Sequence, residues 1–116
     1  YEMEGYPRFG YMRGRYSKEE LKEINTICES MGVEVIPGIQ TLAHFEHYLQ
    51  WLEGAAIANT SRMLLVDEPK TYVFLEQAFA TMRECFPNSK NWVMILSLPS
   101  AIHRFAIRTC HPFPIV

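Results

Sequence analysis

Cysteine is scarce in this chain, and its spacing argues against two common kinds of small protein. The three cysteines, Cys28, Cys85 and Cys110, are an odd number without paired spacing. This pattern argues against a disulfide framework and is typical of a reducing compartment. No CxxC pair or cluster of His and Cys is present to suggest zinc. We therefore expect a cytoplasmic protein without a metal site.

Long hydrophobic runs are also missing. The longest apolar run, Trp92–Leu98 with one serine, is far shorter than the roughly 20 residues that a membrane-spanning helix needs. No basic and then apolar leader follows Tyr1. We expect a soluble chain without a membrane partner. We also interpret its first residue, Tyr1, as the result of a truncation.

Acidic residues are missing from the last part of the chain. Residues 1–84 contain all 13 Asp and Glu and 8 of the 11 Lys and Arg, a net charge of −5, whereas residues 85–116 contain no acid and have a net charge of +3. This change in charge predicts a boundary near residue 85 between the main part of the chain and a tail of different origin. The formal net charge of −2 for the whole chain gives no general electrostatic reason to expect nucleic acid as a partner.

Residues 1–16 are rich in Gly, Tyr and Arg and have no sustained period, so they predict a loop. Mixed aromatics and arginines also occur on surfaces that bind single-stranded nucleic acid by stacking and charge. The modest net charge favours an ordered surface loop capped by its tyrosines, with no nucleic-acid partner.

Ser17 begins the clearest predicted helix, because Ser17-Lys18-Glu19-Glu20 is a capping box. Gly32 is placed for a left-handed C-cap, and Val33–Pro37, β-branched and bounded by Gly and Pro, predicts a short strand. This order is one step of an alternating α/β fold. The predicted apolar stripe of the helix consists of Leu21, Ile24, Ile27, Cys28 and Met31.

Two more helices are predicted downstream. A third helix would begin at Asp67 or Glu68, with Pro69 in its first turn. Residues 54–62 predict a loop, and residues 63–66 a short extended stretch. The second helix has the stripe Phe45, Tyr48, Leu49 and Leu52, and the third has Tyr72, Leu75, Phe79, Met82 and Phe86.

Residues 38–44 leave the carboxyl end of the predicted strand, which is where parallel α/β folds bind ligands. The imidazole of His44 is suited to orienting a carboxylic acid or sharing its proton, although a histidine here is more often structural. Gln40 supplies a neutral donor and acceptor for a sugar or a water.

Residues 9–46 resemble glycoside hydrolase family 20, the β-N-acetylhexosaminidases. Tyr16–Ile24 (YSKEELKEI) is similar to a helix of that family, which leads through a glycine into a strand. Ile36–Glu46 (IPGIQTLAHFE) and Phe9–Tyr16 (FGYMRGRY) are similar to the hexosaminidase D-like branch in particular. The resemblance covers about residues 1–86, which we interpret as part of the catalytic barrel. Residues 87–116 are unlike the family and are interpreted as a divergent tail.

The resemblance implies an α/β fold, specifically a fragment of a (β/α)8 barrel. It also implies a retaining enzyme that removes terminal β-linked N-acetylhexosamine, with the acetamide oxygen of the substrate as nucleophile and a Glu as general acid and then base. By the same resemblance, His44 orients the general acid and Gln40 and Glu46 contact the substrate. No metal or organic cofactor is implied.

The catalytic Asp-Glu pair of that family is missing from its expected place. The only Asp-Glu dipeptide, Asp67-Glu68, directly precedes Pro69, where acids cap helices. We therefore expect this chain alone to be inactive. A frameshifted or alternatively spliced end would explain why residues 1–86 resemble the family while the tail, residues 87–116, has no acid. Genuine divergence of the tail is the alternative.

Two other interpretations remain. The chain is either an inactive fragment that binds a partner or a sugar, or part of another α/β glycosidase. A barrel fragment leaves strand edges open, so self-association is expected in either case.

Overall fold

The computed structural model describes residues 1–98 and 101–107. This part of the chain forms a small mixed α/β domain with four helices and one three-stranded sheet. The rest of the predicted tail, residues 99–100 and 108–116, lies outside the described residues, and with it Cys110. The elements in chain order are α1 (Lys18–Ser30), β1 (Gly38–Gln40), α2 (Glu46–Leu49), α3 (Leu52–Ala55), α4 (Pro69–Cys85), β2 (Trp92–Leu98) and β3 (Ala101–Ile107).

Helix α1 begins and ends as predicted. The Ser17 hydroxyl accepts a hydrogen bond from the amide of Glu20 at 3.1 Å, and the amide of Ser17 donates to the Glu20 carboxylate at 2.7 Å. At the other end, Gly32 has φ +70°, and the amide of Val33 donates to the carbonyl of Cys28 at 2.9 Å. These contacts form a capping box and a Schellman motif, which satisfy amides and carbonyls that a helix end leaves unpaired.

The strand after α1 lies later than predicted. Val33–Pro37 was the expected strand, but β1 is Gly38–Gln40 and pairs in parallel with β2, with Gly38 opposite Val93. The reason is the available partner: β2 begins at Trp92, and the amide of Val93 donates to the carbonyl of Pro37 at 3.0 Å. Pairing with β2 therefore starts at the last residue of the predicted strand.

Strand β2 belongs by sequence to the predicted tail, yet it lies in the middle of the sheet. Its connection from β1 passes through α2, α3 and α4, and the two strands are parallel. Strand β3 then pairs antiparallel with β2, with Leu98 opposite Ala101. The change in charge near residue 85 therefore does not coincide with a break between packed elements.

The second predicted helix is divided into α2 and α3. Its buried stripe ends at Leu49, because the chain turns at Trp51, whose amide donates to the carbonyl of Tyr48 at 3.0 Å. As a result, Leu52 is 90% exposed, and its predicted place in the core is wrong. The predicted extended stretch at residues 63–66 forms isolated bridges from Met63 to Ala43 and from Leu64 to Ala58.

Helix α4 begins as predicted, with Glu68 as its cap. The Glu68 carboxylate accepts from the amide of Lys70 at 3.1 Å, and Pro69 is the first helical residue. The predicted stripe is wrong at Tyr72, which is 53% exposed, whereas Phe74 is almost fully buried. Phe74 faces inward because it lies among the rings of Tyr6, Phe9, Phe45 and Tyr48.

The predicted stripe of α1 is only partly covered. Leu21 is buried, but Ile27 and Met31 are 50% and 64% exposed. Val33 and Ile36, which follow, are also exposed. These four exposed apolar residues all precede β1 in the chain, and among the described strands only β2 pairs with β1.

Within the part of the chain that the structure describes, no helix has the length and apolar character needed to cross a bilayer.

Candidate functional site

A cavity of about 700 Å³ lies beside β1 and includes the end of that strand. It brings together all three residues to which the sequence assigns a role, Gln40, His44 and Glu46. Gln40 is half-buried and is the last residue of β1, held in register by pairing with Ile95 of β2. The sheet therefore positions the first of the three side chains.

His44 has a backbone conformation that is unusual for a residue with a side chain. Its φ is +65°, in the left-handed region that costs roughly 1–2 kcal/mol for residues other than glycine. The chain is fastened on both sides of it: the amide of Leu64 donates to the carbonyl of Leu42 at 2.9 Å, and the amide of Phe45 donates to the carbonyl of Arg62 at 3.1 Å. Strain of this kind is often found at functional sites.

The Glu46 carboxylate is held ionised. A hydrogen bond from its own backbone amide is the main cause that lowers its pKa, and the charges of Arg62, His44 and His47 lower it further, against a rise from desolvation. Its Oε2 atom is buried and has no hydrogen-bond partner among the described residues. A buried acceptor of this kind is normally satisfied, so Glu46 is suited to accept a hydrogen bond from a ligand hydroxyl.

The loop before α1 also lines the cavity. Gly10, Met12 and Gly14 all have positive φ, between +58° and +66°, and produce the tight turns that carry Arg13. Arg15 fastens the loop by donating to the carbonyls of Pro7 at 2.7 Å and Phe9 at 2.9 Å. The lining residues from this loop and its flanks are Tyr1, Phe9, Gly10, Arg13, Gly14, Arg15 and Tyr16.

These loop residues were missed as part of the site by the sequence analysis, which predicted only a surface loop. The loop is ordered as expected, and Tyr1, Tyr6 and Phe9 pack against the core. The sequence did contain a signal for this part of the site: Gly10 and Gly14 flank Arg13, and glycines permit tight turns that present the residues between them.

Tyr48 contributes an aromatic wall. Its ring stacks on Phe74 with centroids 4.9 Å apart and an angle of 11° between the planes. Burial is the main cause that raises the pKa of its phenol, and its hydroxyl has no partner among the described residues. The helical pattern predicted Tyr48 as a core residue, and the structure places it both in the core and on the cavity.

The carboxylates available to this cavity are few. Among the described residues, Glu46 is the one acid that lines it, and Asp67 and Glu68 do not. No group of three His, Cys, Asp or Glu side chains in the described ranges is placed to hold a metal ion. The arrangement therefore offers hydrogen bonds, an aromatic wall and basic side chains for binding a polar ligand.

Comparison with known proteins assigns this chain to no family. The chain matches none of the models of known protein families, and no curated protein matches it. The chemistry of the site is therefore inferred from its own residues.

Proposed function

We propose that this chain is a cytoplasmic fragment of a (β/α)8 barrel from a β-N-acetylhexosaminidase similar to glycoside hydrolase family 20. It supplies two to three of the eight βα steps and part of the wall that binds the N-acetylhexosamine. The complete enzyme would remove terminal β-linked N-acetylhexosamine by the retaining, substrate-assisted route.

One observation carries this proposal: Gln40, His44 and Glu46, which the resemblance marks as a substrate-contacting and acid-orienting set, line a single cavity. The cavity includes the end of β1, and β1 and β2 are parallel strands with helices between them. Ligands of α/β barrels are bound at the carboxyl ends of such strands. The positive φ of His44 supports a functional role for this residue.

We further propose that the chain alone is inactive. A general acid contributes roughly a hundred- to ten-thousand-fold to the rate, and the framed Asp-Glu pair that would supply it is absent from these 116 residues. The described part of the cavity is lined by polar groups suited to hydrogen-bonding a sugar, so an inactive sugar-binding fragment is the second candidate. Glu46 favours it, because its Oε2 atom is buried without a partner.

The test has two arms. In the first, the purified chain is assayed on nitrophenyl N-acetyl-β-glucosaminide, where we expect no turnover above background. In the second, N-acetylglucosamine and galactose are titrated into the isotopically labelled chain and followed by NMR. We expect N-acetylglucosamine to shift the signals of Gln40, His44 and Glu46, and Gln40→Ala to weaken this binding. Asn59→Ala, an exposed position that does not line the cavity, is the control.

The outcomes separate the candidates. Binding of galactose in place of N-acetylglucosamine would favour another α/β glycosidase, and binding of neither sugar would contradict the proposal. Sequencing the gene across codons 86–92 distinguishes an active enzyme whose reading frame was shifted from a chain that never had the catalytic pair. In the family that the chain resembles, the catalytic Asp-Glu pair lies in a pattern like H-x-G-x-D-E. Such a stretch in another frame supports the enzyme, and its absence supports the inactive sugar-binding chain.

A further inference from the structure

An exposed patch of aromatic and apolar side chains lies outside the cavity. It consists of Arg8, Tyr11 and Met12 from the loop before α1 and of Trp51 and Leu52 from the junction of α2 and α3, and we call it the arginine–aromatic patch. Met12 and Leu52 are 84% and 90% exposed, and Tyr11 is 46% exposed. Within the described residues, the lining of the cavity includes none of these five. The proposed function therefore leaves the patch without a role.

Contact between two rings joins the two halves of the patch. Tyr11 and Trp51 pack edge to face, with ring centroids 5.7 Å apart and an angle of 82° between the planes. Met12 and Leu52 are the next residues in the chain after these two rings. Two segments that are distant in sequence therefore present one surface.

The backbone beneath the patch is held by contacts within the chain. The amide of Tyr11 donates to the carbonyl of Arg8 at 3.2 Å, and the amide of Trp51 donates to the carbonyl of Tyr48 at 3.0 Å. Gly54, in the helix that follows, is packed so closely that a Cβ there would lie 2.6 Å from the carbonyl oxygen of Tyr48. A surface that is already ordered loses less conformational entropy when a partner binds.

Arg8 supplies a charge that is oriented but not neutralised. Its guanidinium carbon lies 4.6 Å from the ring centroid of Trp51 and 5.5 Å from that of Tyr11, within the range of cation–π contacts. None of the ion pairs among the described residues includes Arg8. Because stacking uses the face of the guanidinium, the N–H groups at its edge are left to bind a carboxylate in a charge-assisted pair.

The residue types of the patch are those of a protein–protein interface. Trp, Tyr, Met and Arg are enriched at the centres of such interfaces, and Trp, Tyr and Arg contribute most often to the few contacts that dominate binding. Exposed apolar residues that lie together, rather than singly, also mark interaction sites. The composition of the patch therefore indicates a protein as its partner.

We propose that the arginine–aromatic patch docks an acidic amphipathic segment of another protein. The apolar side chains of that segment would contact Met12 and Leu52, and a carboxylate would pair with Arg8. Charge complementarity selects an acidic partner, because residues 6–16 contain three arginines and no acid. This inference is independent of the proposed function, since it concerns a different surface from the cavity.

The test titrates three capped synthetic peptides of about fourteen residues, roughly four helical turns, into the full 116-residue chain. The first has leucines on one helical face and glutamates on the other, the second has lysines in place of the glutamates, and the third has glutamines in place of the leucines. By isothermal titration, we expect the Leu–Glu peptide to bind at least about fivefold more tightly than the Leu–Lys peptide at low salt. The advantage should shrink at high salt, and the Gln–Glu peptide should not bind.

Two pairs of variants locate the binding surface. Arg8→Gln should abolish the preference for the Leu–Glu peptide, whereas Arg83→Gln, which removes the same charge from an exposed position on α4, should keep it. Leu52→Ser should weaken binding of that peptide about tenfold, whereas Val73→Ser, at an exposed apolar position outside the patch, should not. All four positions are exposed, so the variants should keep the urea midpoint of the parent chain.

Three results would overturn the inference. It is wrong if the Leu–Glu peptide does not bind or binds no more tightly than the Leu–Lys peptide. It is also wrong if Arg8→Gln and Leu52→Ser leave the affinity unchanged. If Leu52→Ser instead changes the oligomeric state in light scattering, the patch binds a second copy of the chain and not an acidic partner. The proposed function stands or fails separately, because its sugars are tested at the cavity.

Discussion

Glu34 holds Asn91 through both of its carboxylate oxygens. The side-chain amide of Asn91 donates to Oε1 at 3.3 Å and to Oε2 at 3.2 Å, and its backbone amide donates to Oε1 at 3.0 Å. The amide of Lys90 donates to the same Oε1 at 2.7 Å. This carboxylate joins the segment before β1 to the residues directly before β2, and so helps to set the register of the parallel pair.

Stability should depend on the ionisation of Glu34. The backbone amides of Lys90 and Asn91 are the largest causes that lower its pKa from the ordinary value of 4.5. A lowered pKa adds stability that is present above about pH 4.5 and is lost as the pH falls through the folded-state pKa. We expect Glu34→Gln to lower the urea midpoint at pH 7 and to approach the parent chain in acid. Glu23→Gln, an exposed position on α1, should show no such difference, and an equal effect at both pH values would contradict the assignment.

Gly54→Ala should destabilise the fold. A Cβ atom at residue 54 would lie 2.6 Å from the carbonyl oxygen of Tyr48 and 2.8 Å from the Cα of Leu49. These are backbone atoms, so α2 and α3 would have to move apart, at a cost of about 1–3 kcal/mol in the free energy of unfolding. Gly38→Ala is the matched control, because a Cβ there meets no atom within 4 Å. Equal stability of the two variants in urea unfolding would show that the α2–α3 junction is less tightly packed.

His44 allows strain and function to be separated. Because its φ is +65°, His44→Gly should be more stable than His44→Ala by about 1 kcal/mol. In a complete enzyme both variants should reduce kcat by about ten- to a hundredfold, because neither retains the imidazole. Unfolding curves and steady-state kinetics of the two variants make the comparison. A glycine variant with normal kcat would mean that the histidine has only a structural role.

The chain should self-associate. Among the described strands, β1 is at the edge of the sheet, and the apolar residues Ile27, Met31, Val33 and Ile36 before it are exposed. Open strand edges and exposed apolar residues are features that recruit other chains. We expect light scattering after size exclusion to show oligomers, and the double variant Met31→Lys with Ile36→Lys to shift them toward monomer. Leu52→Lys changes another exposed apolar residue and should have no effect. A monodisperse monomer with a sharp unfolding transition would contradict this prediction and the barrel-fragment proposal.

Features that depend on neighbours in the chain were predictable from the sequence. The capping box at Ser17, the left-handed Gly32 and the Glu68 cap before Pro69 all lie where they were expected. Each involves groups within about five residues of one another, so short-range geometry and hydrogen bonding determine them without the rest of the fold.

Features that depend on distant partners were decided only by the tertiary structure. β1 starts at Gly38 because β2, more than fifty residues later, offers its hydrogen bonds there. Leu52 and Tyr72 fit helical stripes but are exposed, whereas Phe74, which lay outside the predicted stripe, is buried. The cavity likewise needed the fold, because Arg13 and Gln40 are far apart in sequence and line the same cavity only in the folded chain. A helical period shows which residues share a face, whereas burial depends on what packs against that face.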